Sequence, residues 1–414
     1  MNNEQAEKDS FDVIVVGGGP AGSACAALLG RRGLGVLLLE KQKFPRDKIC
    51  GDAVSGKAMK VLTELGLHEE SAKLPHGDIC GVIFSSPSGK SAKIDFPSSD
   101  PVRKGTGYCC RRELHDNLLF QNAKKYAKTI EGFAVNELVW EGERVVGVKG
   151  MNSASGSEEE YRAKVVVGAD GVGSVVARKT GRQQKDTKHL CQAFRGYYKN
   201  VSGTSNNMEI HFVKSVIPGY FWIFPLDGET ANVGIGMITE DVAKKKINLK
   251  QAMLEIIENN PMFKERFANA QLIGEIKAWT LPFGSKIPQI YGDGFLLLGD
   301  AASLVDPFSG EGQGNAMTSA SVAARVIAVA IKQDDVSAKY LFSYQEELLK
   351  EIKAELDTSY TLQRLGRVTW ILNLIVEKAA RNKEVRDTIS GMLANQEAKK
   401  EFMSPAFYLK LIFS

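Results

Sequence analysis

Apolar runs of two kinds alternate along this chain. Phe11–Val16, Val36–Leu39 and Val165–Val167 are short, unbroken and rich in branched residues, which predicts parallel strands buried on both faces. Between the first two, Gly17-Gly18-Gly19 turns the chain, and the small residues Ala21, Ala24, Ala26 and Ala27 predict a helix lying close on the sheet. Helical spacing recurs over Val54–Leu65, after Arg111 with Leu114, Leu118 and Leu119, over 240–270, from about Gln313 to Lys332, and through 333–414. Strand patterns mark 79–108, with Ser86-Pro87-Ser88-Gly89 as a turn, Val135–Lys149 around Glu141-Gly142-Glu143, and 190–236. In the last of these, alternation puts Tyr220, Trp222 and Phe224 on one strand face and Phe221 and Ile223 on the other.

Strand–turn–helix units interrupted by alternating segments predict an α/β chain in which a Rossmann-type unit is interleaved with an antiparallel sheet. The nucleotide-binding segments are 1–78, 109–180 and 286–332. The sheet segments are 79–108 and 181–285, and 333–414 forms a C-terminal helical region.

Composition narrows the function classes. The length of 414 residues allows two or three domains, and 43% hydrophobic with 25% charged residues is ordinary for a soluble protein. A formal charge of +4, spread among mixed signs, gives no reason to expect a nucleic-acid partner. Residues 1–10 carry no apolar core of a secretory signal. No apolar run approaches a membrane span, so any membrane contact is expected to be peripheral. The stretch Val368–Val376 and the tail from Pro405 to Phe413 are apolar, and core packing, a substrate lid and a membrane-facing edge are the readings they support. The cysteines at 25, 50, 80, 109, 110 and 191 fit neither a C-x-x-C pair nor a zinc spacing. No metal site is expected, and the default setting is reduced and cytoplasmic.

Candidate chemistry begins in the first turn. Gly17, Gly19 and Gly22 have the spacing G-x-G-x-x-G, suited to a tight turn, a close approach to a pyrophosphate and close helix packing. Pro20 sits near the first helical turn, where its missing N–H does no harm, and the helix N-terminus would face the diphosphate. Glu40, at the end of the second strand, can accept both ribose hydroxyls of an adenosine. Arg46 and Lys48 are read as solvated, with phosphate contact as the rarer alternative. Cys50, next to Gly51 and Asp52, is either a small buried hydrophobe or a thiol close to ligand. Arg111 and Arg112 begin a helix, where one of them reaches a cofactor phosphate or both form a solvated basic turn. Asp170-Gly171 is a second glycine turn that Asx hydrogen bonds can organise. Asp300 ends a strand at the carboxyl edge of the sheet, where open α/β sheets bind ligands. Gly310, Gly312 and Gly314 open the next helix with Glu311 among them, so its N–H groups can face an electron-rich ring.

Three separated motifs together resemble the flavoprotein group that includes para-hydroxybenzoate hydroxylase and the geranylgeranyl reductases. These are Gly17, Gly19, Gly22 with Glu40; Asp170-Gly171 within GADGVGSVVAR; and Gly299-Asp300-Ala301-Ala302 followed by Pro307 and Gly310. The group's R-x-x-x-D-x-x-L falls on Arg112, Asp116 and Leu119, with His115 where an apolar residue is usual. The resemblance runs from about residue 10 to 330 and implies bound FAD. The cofactor residues it implies are Gly17, Gly19, Pro20, Ala21, Gly22, Glu40, Lys41, Arg112, Asp170, Gly171, Asp300, Pro307, Gly310 and Gly312.

Cys50-Gly51-Asp52 and the Y-x-W-x-F-P of Tyr220–Pro225 resemble the geranylgeranyl reductase branch, although many members have C-G-E or C-G-G where this chain has Asp52. Halogenases of the group carry W-x-W-x-I-P there, which Tyr220 and Phe224 depart from. The resemblance implies reduction of carbon–carbon double bonds in a prenyl lipid or prenyl diphosphate, by hydride from reduced flavin and a proton. Such chemistry needs an apolar tunnel and a proton, for which Tyr220, Trp222 and Phe224 are the expected wall and Cys50 the expected proton source, with water or Tyr220 as the alternative. Only one G-x-G-x-x-G is present, so NAD(P)H or reduced ferredoxin is expected as a transiently bound donor. A flavin monooxygenase and a non-catalytic prenyl carrier are the neighbouring readings.

Overall fold

The computed structural model describes residues 10–96 and 107–394. Residues 97–106, in the later part of the 79–108 segment, and the apolar tail from Pro405 to Phe413 lie outside the described residues.

The named elements run in chain order as follows. The first strand β1 (Ser10–Val16), helix α1 (Pro20–Gly30) and β2 (Val36–Glu40) form the opening unit, followed by α2 (Gly56–Glu64). Then come β3 (Gly81–Ser85), β4 (Ser91–Asp95), α3 (Arg112–Ala123), β5 (Lys128–Glu131), the hairpin β6 (Phe133–Glu141) and β7 (Arg144–Asn152), and β8 (Ser157–Gly168). After α4 (Val175–Lys179) the chain makes β9 (Leu190–Lys199), β10 (Asn207–His211), β11 (Tyr220–Pro225), β12 (Thr230–Ile238), β13 (Gln271–Pro282) and β14 (Phe295–Leu297). Helices α5 (Gln313–Lys332), α6 (Ala338–Leu365), α7 (Thr369–Arg381) and α8 (Lys383–Ala394) follow.

Two large sheets result. The first has the path β14-β8-β1-β2-β5, parallel throughout, with Tyr291–Gly292 antiparallel at the β14 edge and the β6–β7 hairpin attached antiparallel to β8. Val13–Val16 of β1 and all of β2 are buried beneath α1, on which α3 and α5 pack in turn. The second sheet has the order β13-β9-β12-β11-β10-β3-β4. The segment Gly81–Asp95 therefore joins strands that lie far downstream, with β3 parallel to β10. A small sheet of Ala53–Val54, Gly107–Cys109 and Gly77–Ile79 stands at the crossings between the two.

Helix α5 corrects one expectation, since its twenty residues are apolar enough by composition to cross a membrane. It does not need to, because it is mostly buried, packed against α1, α2 and α6. Helix α6 inserts Tyr344, Leu348, Ile352 and Leu356 into the core of the first sheet. Helices α7 and α8 cross to the second sheet, where Val376, Ala379, Val385 and Ile389 pack on Val82, Ala92 and Ile94.

Candidate active site

The register of the first sheet gathers the sequence motifs at one edge. Val16 pairs with Leu39 on one side and Gly168 on the other, and Gly168 with Leu297. The four strands therefore end level and deliver Gly17, Glu40, Asp170 and Asp300 to the same crevice. Gly17 has φ +100°, and a Cβ on Gly22 would sit 1.8 Å from the carbonyl oxygen of Gly17, so the turn and helix close up only with glycine there. Helix α1 starts at Pro20, and no side chain caps it at Gly19. Its first-turn N–H groups are left as an anion seat. The buried Glu40 accepts from the backbone N–H of Gly18 (2.8 Å) and of Gln42 (2.9 Å), which fixes its carboxylate in the cavity wall beside the more exposed Lys41.

Asp170 accepts from Ser174 Oγ (2.5 Å) and the N–H of Val175 (2.6 Å), organising the second turn and the start of α4, and burial raises its pKa. Gly171 supplies φ +77° in that turn. Asp300 meets Lys48 Nζ at 3.4 Å, and the ammonium lies over the ring of Trp279. Lys48 is therefore in the site rather than solvated. Asp306 accepts from Phe308 N and Ser309 N, shaping the turn that carries Pro307, Gly310 and Gly312 into the cavity wall. Glu311 accepts from Ser55 Oγ (3.0 Å) and the N–H of Gly314 (2.5 Å) at the start of α5.

Arg112 is buried. It donates from Nε to Asp116 Oδ1 at 2.6 Å and from Nη2 to Oδ2 at 2.8 Å. Burial would lower the guanidinium pKa, but Asp116 and Cys50 beside it hold it above its ordinary value. Arg46 adds a bond to Asp116 Oδ2 at 2.7 Å and approaches Glu40 at 3.9 Å. Burial would raise Asp116, and Arg112 overrides it to hold the carboxyl at about 2.

Gly17, Glu40, Lys48, Arg112, Asp170 and Asp300 line one cavity of about 1580 Å³. A single small-molecule site is usually ~300–1,000 Å³, so there is room for a dinucleotide and a second ligand. Away from the glycine turns the lining becomes apolar. Tyr220, Trp222 and Phe224 face into it from β11, while Phe221 and Ile223 turn to the core on the other side of the sheet. The apolar arm continues past Met208, Ile210 and Phe96 to Leu372, Ile375 and Val376 of α7. Tyr220 donates its hydroxyl to the carbonyl of Ser309 (2.8 Å).

Cys50 lines the cavity, half-buried, in the loop between β2 and α2. Gln313 at the start of α5 donates from Nε2 to the carbonyl of Ala53 (2.9 Å) and lies 3.9 Å from the Cys50 sulfur. Asp52 is fully buried at φ +67°, and burial raises its pKa to about 6 against the pull of Arg195, Asn232 and Tyr197. Gln313 and the partners of Asp52 were not singled out from sequence, because each comes from a separate segment, and Lys48 was read there as solvated. The basic character of the 41–48 loop was the one available signal.

A family model described as FAD binding domain matches residues 10–359. Digeranylgeranylglycerophospholipid reductase 1 of Methanococcoides burtonii is 31% identical over 82% of this chain and 79% of its own length. The chain belongs to the geranylgeranyl reductase family of FAD-binding flavoproteins. It is an FAD-dependent oxidoreductase. In fold it is similar to a geranylgeranyl bacteriochlorophyll reductase-like protein of Thermoplasma acidophilum, with TM-score 0.82 at 24% identity, covering 95% of this chain and 99% of that one. It is also similar to the flavin-dependent brominase Bmp2, with TM-score 0.77 at 23% identity, covering 97% and 99%. The fold therefore does not separate reduction from halogenation; the reductase relatives at higher identity do. The site fits FAD on its own geometry, with an uncapped helix N-terminus, glycines that a Cβ would disrupt, and a cavity larger than the dinucleotide needs.

Proposed function

We propose that this enzyme reduces carbon–carbon double bonds in the prenyl chains of a geranylgeranyl lipid or diphosphate. The observation that carries the reading is the continuity of the cofactor crevice with the apolar arm under α7 within one cavity. Burial at about 0.8 kcal/mol per CH₂ makes a long isoprenoid a strong anchor in such an arm. An isolated double bond offers no polar handle, so the wall of Tyr220, Trp222 and Phe224 must orient it by shape.

The first-turn N–H groups of α1, with Gly17, Gly19, Ala21 and Gly22, seat the diphosphate of FAD, and Glu40, with Lys41 beside it, takes the adenosine ribose. Asp170, Gly171, Asp300, Pro307, Gly310 and Gly312 line the remainder, and Arg112 acts through Asp116 and Arg46. Reduced FAD, when bound, supplies a hydride to the alkene. Cys50 supplies the proton: its S–H bond breaks, a C–H bond forms at the carbon opposite the hydride, and solvent reprotonates the thiolate. A neutral thiol costs little to bury, so it can stand in an apolar cavity wall with its proton in place. Tyr220 is the lesser candidate because its hydroxyl proton is held by Ser309.

The donor of electrons, a nicotinamide nucleotide or a reduced ferredoxin, docks transiently. We place the protein in the cytoplasm, in keeping with its six free thiols, and at the membrane surface, where Trp370 at the start of α7 is 63% exposed beside the exposed Arg364 and Arg367. The test is Cys50→Ala in the purified holoenzyme. It should keep its flavin spectrum and accept electrons from dithionite, yet reduce a geranylgeranyl lipid at least about a hundredfold more slowly. Wild-type turnover would reduce the thiol to a packing residue.

A further inference from the structure

Asn232 on β12 is fully buried, and each polar atom of its amide is spent on a functional element. Its Oδ1 accepts from Trp222 Nε1 at 2.9 Å, and its Nδ2 donates to the carbonyl of Cys50 at 2.7 Å and to Asp52 Oδ2 at 2.9 Å. Indole N–H is only a donor and a carbonyl only an acceptor, so the amide has one orientation that satisfies both. Asp52 is held in turn. Its Oδ2 accepts the hydroxyl of Tyr197 at 2.8 Å, its carbonyl accepts the N–H of Cys110 at 3.0 Å, and its backbone takes the left-handed φ of +67°. Its Oδ1 finds no partner among the described residues, so the carboxyl is not fixed by a full set of its own bonds.

Trp222 and Cys50 lie on opposite structural units. The indole belongs to the second sheet, and the thiol to a loop leaving the first. The loop is anchored around the thiol by Arg46 on Asp116, Arg195 on Asp47, Lys48 on Asp300 and Gln313 on the carbonyl of Ala53, whereas the Cys50 carbonyl itself is held by Asn232, and proton transfer tolerates little displacement of the sulfur. We propose that Asn232 is a positioning residue that sets the Cys50 turn against the Trp222 wall, with Asp52 as its anchor. The inference rests on the reading of Cys50 as proton source and Trp222 as substrate wall. It goes beyond that reading by naming what holds the two in register. A group that only satisfied buried polar atoms would contribute to folding and leave the chemistry alone.

The experiment uses the holoenzyme with a geranylgeranyl lipid and reads kcat, KM, the number of double bonds reduced per chain by mass, and the alkylation rate of Cys50 by peptide mapping. Asn232→Leu is expected to lower kcat at least about tenfold while KM changes less than about threefold. It should shift products toward partly reduced chains and change Cys50 alkylation severalfold, with the flavin spectrum retained. Added to Cys50→Ala, Asn232→Leu should slow turnover by much less than it does in the wild type, since the part of its effect that passes through the thiol is already lost. Wild-type kcat and alkylation in Asn232→Leu, or a full multiplication of the two defects, would overturn the proposal. A slow Cys50→Ala beside a normal Asn232→Leu sinks this inference alone, whereas a normal Cys50→Ala strikes the proton-source reading itself.

If Asn232→Leu does not fold, Asp52→Gly carries the test, because glycine adopts the left-handed backbone without strain and removes only the anchor. It should lower kcat in the same direction, by at least about threefold, with the flavin spectrum retained. Wild-type kcat in that variant overturns the proposal as well.

Discussion

Asp116, on α3 in the nucleotide-binding half, and Asp52, in the loop that reaches toward the second sheet, are both fully buried, and their surroundings push them in opposite directions. Asp116 is gripped by two guanidinium groups, Arg112 bidentately and Arg46 from the other side, and stays ionised. Asp52 has only neutral donors on it, the Tyr197 hydroxyl and the Asn232 amide, with Arg195 acting at longer range. The contrast follows the work of each half. The cofactor side must hold a charged dinucleotide and is built from fixed, paired charges and backbone N–H groups. The substrate side must accept a hydrocarbon, where a full charge is costly, and it uses hydrogen bonds of neutral groups and aromatic shape.

The largest expected effect comes from breaking the charged side. Asp116→Ala leaves Arg112 buried without its carboxylate and should cost about 3–5 kcal/mol of folding free energy by urea denaturation. A loss below about 1 kcal/mol would mean the guanidinium finds solvent, and the contrast would fail on that side.

The pH dependence sharpens the same contrast. Asp116, lowered to about 2, contributes stability that is present above its unfolded pKa near ~3.9 and lost as pH falls through 2. Asp52, raised to about 6, contributes the reverse: its favourable term is full below ~3.9 and is lost as pH rises through 6. The difference between Asp52→Asn and the wild type, measured by denaturation at several pH values, should therefore change by about 2 kcal/mol between pH 4 and pH 7, with the wild type losing ground as pH rises. A flat difference would show that the carboxyl is ionised throughout.

On the substrate side, Trp222→Ala should reduce turnover of a prenyl lipid on the order of a hundredfold, about 2.7 kcal/mol, while the visible flavin spectrum stays nearly unchanged. Loss of FAD or of folding would make Trp222 a core residue and blur the boundary between the two halves. The smallest effect is expected at the rim. Trp370→Ser should leave turnover of a detergent-dispersed substrate unchanged and weaken sedimentation with anionic vesicles severalfold, about 1 kcal/mol. Equal sedimentation of both proteins would remove the membrane-surface placement.

The cofactor half was legible in the sequence because its determinants are local. Gly17, Gly19, Gly22 and Glu40 belong to one strand–helix–strand unit, and the level ends of parallel strands bring the Asp170 and Asp300 turns to it. The faces of β11 were legible too, because alternation along a strand needs no partner to be read. Spacing could not decide which strands would lie beside β11, or that β3 would pair in parallel with β10 more than a hundred residues downstream. It left the Val368–Val376 stretch between core, lid and membrane edge. The structure shows it covering the second sheet and lining the apolar arm, since Leu372 and Val376 find Phe212, Val82 and Ile94 to pack against. Nothing in the 190–236 strand pattern singled out Asn232, and Asp52 stood only as a departure from a family pattern. Only the tertiary structure joined them to Trp222 and Cys50, because a hydrogen bond between segments 182 residues apart depends on where both sheets place their backbones. Local chemistry thus specified what binds the cofactor, and the packing of the two sheets decided what stands opposite it.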